Sequence, residues 1–418
     1  MTEADGKRAT QLVEDLFRSE SVRLVAALTR LLGSSHLTLA EDVVHEALMS
    51  AMHAWRFELP RDPKAWILQA AKRRAIDRIR QRRREQLMEQ VPDAAAESLD
   101  SALPHAEDSA NQLAMMYSIC DDRLSQETQV SLILRFLCGL SPTEIARAFL
   151  VDAQTIERRL HRGRTRLREQ GQLTDVRDGA AIAARQPAVM QALYLLFNEG
   201  YHGSDANNPM HPAMCAEAIR LGELLLESKA ADAAQVHALL ALFCFNAARL
   251  PTRLDLEGAL RPLVEQDRAM WDRSLIVRGI RHLSASAHGD ELSRWHLEAG
   301  IAAEHALAPT FEATNWRRIV ALYEQLQSRA SGSVVALGRA LALAESGAVD
   351  AARDALLAIA SDDRMKLYHF YWAARAELEH RAGHEAISHQ LYQVALSLAR
   401  NDAERLSYER KLTRLAQV

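Results

Sequence analysis

The chain has 418 residues, 48% of them hydrophobic, and its 51 basic residues against 55 acidic ones leave a formal net charge of −4. That much apolar material supports cores for two to four domains and excludes disorder throughout. There is no unbroken run of eighteen apolar residues, and the N-terminal MTEADGKRAT lacks the apolar stretch of a secretory signal, so a cytoplasmic protein with no membrane partner is expected.

Strand signals are nearly absent, while helical spacing of apolar residues recurs along the whole chain, so the fold class expected is all-α. Residues 1–90 form the first expected helical domain. In AEDVVHEALMSAMHAW the apolar stripe is Val43, Val44, Ala47, Leu48 and Ala51, with Asp42 and Glu46 sharing the polar face. Asp62 stands at an N-cap position and Pro63 at a first helical position, which predicts a new helix running into the basic segment. From Lys72 to Arg84 that helix carries eight basic residues and a single acid, Asp77. Arg73, Asp77, Arg80 and Arg84 share one side.

Residues 91–112 are the expected linker. From Gln86 to Asn111 the chain carries six acids and no base, with two prolines and weak periodicity. Residues 113–172 form a second expected helical domain ending in LSPTEIARAFLVDAQTIERRLHRGRTRLR. Here Ser141 can cap, Pro142 can occupy the first position, and Glu144 can close a capping box. Ile145, Ala146 and Phe149 face inward from a short helix, and Ile156, Leu160 and Leu167 from the next. Six arginines and one acid, Glu157, lie between Ile156 and Arg168, so the two helices match a helix-turn-helix with a basic second helix. Two basic helices separated by an acidic tether suggest two contacts with a polyanion.

Residues 173–418 change to alanine- and leucine-rich helices with balanced charge. VVALGRALALAESGAVDAARDALLAIA and FYWAARAELEHRAGHEAISHQLYQVALSLA are each a helix, a glycine turn and a helix. Gly347 and Gly383 are spaced by about one tetratricopeptide period of roughly 34 residues, so an α-solenoid-like domain is expected. NEGYHGSD, with Glu199 and His202, is a short polar loop suited to a solenoid turn or a signal-binding pocket.

The outward face of the second helix-turn-helix helix presents Gln154, Thr155, Arg158, Arg159 and Arg162. Glutamine can pair with both edges of adenine and arginine with those of guanine, each worth about 1–3 kcal/mol of discrimination. Trp55, Phe57 and Trp66 bracket the loop before the first basic helix, where rings suit unstacked bases as well as they suit a core. No phosphate-cradling glycine loop, G-x-S-x-G or H-E-x-x-H occurs, so neither catalysis nor a cofactor is implied. The cysteines Cys120, Cys138, Cys215 and Cys244 are far apart and lack metal-site spacing, so reduced, buried thiols are expected.

AEDVVHEAL, PRDPKAWILQAAKRRAIDRIR and LILRFLCGLSPTEIARAFLVDAQTIERRLHRGRTRLR, in that order, resemble the conserved segments of a bacterial extracytoplasmic-function (ECF) RNA polymerase sigma factor. LYLLFNEGYHGS, AEAIRLGELL, EQDRAMWDRSLI and LYEQL are similar to the long tetratricopeptide-like extension of one subgroup. The resemblance implies a transcription initiation factor with core RNA polymerase and promoter DNA as partners. It implies that Asp42 and Glu46 dock on polymerase, and that Trp66, Arg73, Arg74, Asp77 and Arg80 engage and open the −10 element. Gln154, Thr155, Arg158, Arg159 and Arg162 would read the −35 element. The extension is expected to regulate the factor in cis by an intramolecular contact with the sigma domains. A helix-turn-helix repressor, or a tetratricopeptide scaffold acting without polymerase, stands beside this reading as the alternative.

Overall fold

The computed structural model describes residues 24–25, 28–29, 36–54, 60–86, 109–170, 176, 178–203, 208–227, 232–288, 292–330 and 332–416. Among them there are helices and turns and no strand; Leu254 and Leu260 form an isolated antiparallel bridge. The chain divides into two compact units, one holding residues 1–192 and 228–231, the other residues 193–227 and 232–418.

In the first unit, α1 (Leu37–Ala54) packs on α2 (Pro63–Gln86). Val43, Val44, Ala47 and Ala51 of α1 and Ile67, Ala71 and Ala75 of α2 are buried, while Leu48 is half-buried. As the sequence predicts, Asp62 caps α2, its carboxylate accepting the Ala65 N–H at 3.0 Å. Next come α3 (Ser109–Ile119), α4 (Gln126–Leu137), α5 (Pro142–Phe149) and α6 (Ala153–Gln170), with α6 seated on both α4 and α5. Helix α3 begins inside the stretch expected to be linker. The buried Gln112 side chain donates to the Leu137 carbonyl at the end of α4, which holds this first turn of α3 against the domain. The rest of that acidic stretch lies outside the described residues.

The division between the two compact units falls within α7 (Gly179–Tyr201). The first half of α7 belongs with the helix-turn-helix because Arg185 Nε donates to the Cys120 carbonyl at 2.7 Å. In the second unit α8 (Pro212–Glu227), α9 (Ala233–Ala247), α10 (Arg273–Ser286), α11 (Arg294–Leu307), α12 (Trp316–Arg329), α13 (Ser333–Glu345) and α14 (Val349–Ala358) pack largely on their sequence neighbours. The short α15 (Asp363–Lys366), then α16 (His369–Arg381), α17 (Glu385–Ser397) and α18 (Asp402–Leu415) complete it.

The glycine turns share one mechanism. Gly347 has φ 92° and Gly383 φ 80°, conformations that a side chain would strain. After each, the following amide reaches back five residues, Ala348 N to Leu343 O and His384 N to Glu379 O, both at 2.9 Å. These are matching Schellman ends that satisfy orphan helix carbonyls.

The stretch Ala233–Thr252 is long and apolar enough to cross a membrane by composition. Here α8, α10 and α11 cover α9, and an all-round apolar helix suits such a buried position. After it, three 3-10 turns place Arg268 so that its guanidinium donates to the His305 and Ala308 carbonyls at 2.5 and 2.8 Å, terminating α11 with a cation. The last helix then closes the unit. Asn401 Nδ2 donates to Gly203 O at 2.8 Å, Leu260 N to Ala403 O at 3.1 Å, and Arg410 pairs with Asp255 and Glu257.

Several histidines are enclosed as neutral groups. Burial lowers His369 to about 4, His305 to about 3 and His282 to about 4, against an ordinary 6.5. Between about pH 6.5 and 4 the unfolded chain therefore binds more protons than the folded one, so this contribution to stability is complete above 6.5 and lost on acidification. The urea midpoint should fall as pH drops from 7 to 5; a flat profile over that interval would show that these imidazoles are not held neutral.

Candidate nucleic-acid interface

The basic helix α6 is presented by a turn in which each backbone end is satisfied locally. Ser141 Oγ accepts the Glu144 N–H at 3.2 Å and the Glu144 carboxylate accepts the Ser141 N–H at 2.7 Å, with Pro142 opening α5. This is the capping box predicted from the sequence. Helix α5 stops at Leu150, which is left-handed at φ 52° and whose N–H returns to the Ala146 and Arg147 carbonyls. Asp152 then accepts both the N–H and the hydroxyl of Thr155, at 2.8 and 2.7 Å. Those hydrogen bonds hold the Asp152 carboxyl below its usual range, so it stays charged at the N-terminus of α6, where an anion is favoured.

Ile156, Leu160, Gly163 and Leu167 are the buried stripe of α6. Gly163 was not singled out from the sequence, yet it sets the closeness of the α4–α6 contact: a Cβ there would lie 2.6 Å from Leu132 Cδ2. The stripe fixes what each arginine meets. Arg164 pairs with Glu41 of α1 at 3.2 Å and lies over the Phe136 ring at 5.2 Å. Arg135 of α4 pairs with the other oxygen of Glu41. Arg166 pairs with Asp121 at 2.7 Å, and Arg159 leans over Phe149 at 5.1 Å. Arg158 and Arg162 are exposed and carry no ion pair among the described residues.

These two flank a shallow groove of about 820 Å³ that also includes Gln154, His161, Thr165 and Arg123. Of the residues predicted for this face, Gln154, Arg158 and Arg162 come together there; Thr155 is occupied by Asp152, and Arg159 turns toward α5. His161 and Thr165 were missed although they continue the same helical spacing. Arg123, from the α3–α4 connection, reaches the groove through tertiary structure alone.

On α2, Arg73 and Asp77 are exposed and Trp66 is half-buried. Arg74 instead faces α1, donating to Ser50 Oγ at 2.5 Å, with Glu46 3.8 Å away. Glu46 also pairs with Arg78 at 2.6 Å, so it ties the two helices together, while Asp42 stays exposed. Trp55, Phe57 and the Arg80 side chain lie outside the described residues.

Family models match three stretches: Sigma-70 region 2 over residues 16–85, Sigma-70, region 4 over residues 122–167, and a family of unknown function (DUF6596) over residues 185–287. The uncharacterized protein R00370 of Rhizobium meliloti (strain 1021) is 31% identical over 405 residues, covering 94% of this chain and 95% of that one. The ECF RNA polymerase sigma factor SigW of Bacillus subtilis (strain 168) is 29% identical over 152 residues, covering 34% of this chain and 79% of its own. No solved structure matches.

Gly163→Ala sets two effects against each other. Alanine gains about 1 kcal/mol of helix propensity, while overpacking the fully buried Leu132 opposes it by about 1–3 kcal/mol. The net expectation is a lower melting temperature; an unchanged or higher one would mean that α4 and α6 are less tightly apposed than described.

Proposed function

From the premise that this chain belongs to the ECF-type RNA polymerase sigma factors, we propose how its surfaces divide the work of initiation. Membership means that the chain is a promoter-recognising transcription initiation factor, not an enzyme, that binds core RNA polymerase and promoter DNA. The observation that carries the assignment is the sorting of the α6 arginines. Arg164 and Arg166 are matched by acids, whereas Arg158 and Arg162 stand unmatched beside Gln154 on a concave face.

On this reading Gln154, Arg158 and Arg162 enter the major groove of the −35 element, with Thr155 and Arg159 beside them setting the helix start and its neighbour. Trp66, Arg73, Asp77 and Arg80 engage the −10 element as it opens, and Arg74 acts by holding α2 against α1. Asp42, with Glu46 next to it, belongs to the face that meets polymerase. The work takes place in the cytoplasm, where polymerase and promoter are found. The C-terminal unit regulates the factor in cis, through contact with the sigma domains; its covalent attachment and large size motivate this assignment.

Glu41 adds a constraint. By pairing with Arg135 and Arg164 it joins the two sigma domains within the first unit. Elements centred at −10 and −35 lie about 25 base pairs apart, roughly 85 Å along the duplex. Both domains cannot reach their elements while one carboxylate bridges them. We assign the bridge to the unbound chain and its rupture to holoenzyme assembly.

Two experiments test these assignments. The full chain should co-purify with core polymerase and direct start-site-specific single-round transcription. Arg158→Ala should lower initiation by roughly 10–100-fold at a −35-dependent promoter. In the same assay, truncation ahead of α7 should change output in either direction, and an unchanged output would remove the regulatory role from the extension. In the second experiment, Glu41→Gln should tighten core binding by roughly 2–5-fold, the equivalent of a part-exposed ion pair that no longer has to be broken. Weaker binding by this variant would mean that Glu41 contacts polymerase instead.

A further inference from the structure

We infer that the C-terminal unit binds a small oxyanion, a carboxylate or phosphoryl group, beside Arg253 and Arg400, where its last helices meet its first. Arg253 is 5% exposed, yet no carboxylate pairs with it among the described residues. Its Nη2 donates to His202 Nδ1 at 3.3 Å, its guanidinium lies 3.6 Å over the Tyr201 ring, and its Nε is buried without a hydrogen bond. His202 offers no compensating charge. Burial first, then the positive fields of Arg253 and Arg400, hold it well below the ordinary histidine range, and the nitrogen that accepts from Arg253 is therefore unprotonated.

Arg400 approaches the same histidine from the start of α18. It is balanced by Glu404 at 2.8 Å and feels the negative field of the buried Glu199 as well, but its Nε too is buried and unbonded. The rings of His202 and Phe370 are 5.7 Å apart, and Arg400 lies 5.9 Å from the centre of Phe370, so both guanidinium groups frame one aromatic-walled neighbourhood. Arg249, held by Gln266 Oε1 at 3.3 Å, adds a third positive field.

A guanidinium enclosed without a counter-charge is destabilising, and the face of Tyr201 offsets only part of that. Buried donors that lack hydrogen bonds call for an explanation, an ion or ligand among them, and here Tyr201 Oη and His369 Nε2, beside the two guanidinium groups, are buried without hydrogen bonds as well. The two open Nε donors belong to guanidinium groups, whose planar fork suits the oxygens of a carboxylate or phosphoryl group. Such a ligand would join the end of α7, the segment after α9 and the start of α18, the same places that the Asn401–Gly203 and Leu260–Ala403 hydrogen bonds already join.

The test is thermal unfolding of the full chain at constant ionic strength, titrated with inorganic phosphate and separately with succinate, with chloride as the control. A saturable rise in melting temperature above the chloride control is expected with one probe or both, and the probe that saturates at the lower concentration identifies the group. Arg253→Met should abolish the rise and leave the anion-free melting temperature no lower, because it removes an unmatched buried charge. No saturable rise with either probe, or the same rise in Arg253→Met, overturns the inference. If Arg253→Met does not fold, Arg253→Lys decides. A midpoint displaced by about tenfold or more supports the site, since lysine lacks the guanidinium fork, and an unmoved midpoint overturns it. The readout is binding, so failure here leaves the promoter assignments untouched.

Discussion

A helix with six arginines and one acid over thirteen residues cannot orient itself by charge. Its seating on α4 through Ile156, Leu160, Gly163 and Leu167 is the constraint on which the interface depends. Once that stripe is buried, the direction of every other side chain on α6 follows from helical geometry. Gly163 makes the approach close, and the capping box at Ser141 with the Asp152 cap sets where each helix of the turn begins.

The same seating separates arginines that hold the protein together from those that face outward. Glu41, Asp121 and the rings of Phe136 and Phe149 receive Arg164, Arg166 and Arg159. Arg158 and Arg162 are exposed and carry no ion pair among the described residues. A parallel division operates on α2, where Ser50 and Glu46 take Arg74 and Arg78, and Arg73 is exposed. A near-neutral chain can thus present exposed arginines without a broadly basic surface, because Glu41, Glu46 and Asp121 pair with the inner ones.

The C-terminal unit follows a different rule. Its helices bury alanine and leucine against sequence neighbours, with glycine-ended turns keeping the register, and hydrogen bonds and ion pairs from the last helix close it on earlier segments. Interior arginines that satisfy helix ends, as Arg268 does for α11, are structural. Arg253 differs because no carboxylate pairs with it among the described residues.

The sequence alone determined the all-helical class, the two sigma regions, the helix-turn-helix with its capping box, and the paired glycine turns. Each depends on interactions within a few residues of one another, so spacing and residue type suffice. The placement of Gln154, Arg158 and Arg162 on one face was legible for the same reason. What only the tertiary structure decided was which charges remain free. Arg74 and Arg158 look alike in sequence, but one finds Ser50 and Glu46 on a neighbouring helix while the other finds solvent. The start of α3 within the expected linker, the unit boundary inside α7 and the convergence of Arg253 with Arg400 likewise required contacts between distant segments, which no local pattern encodes.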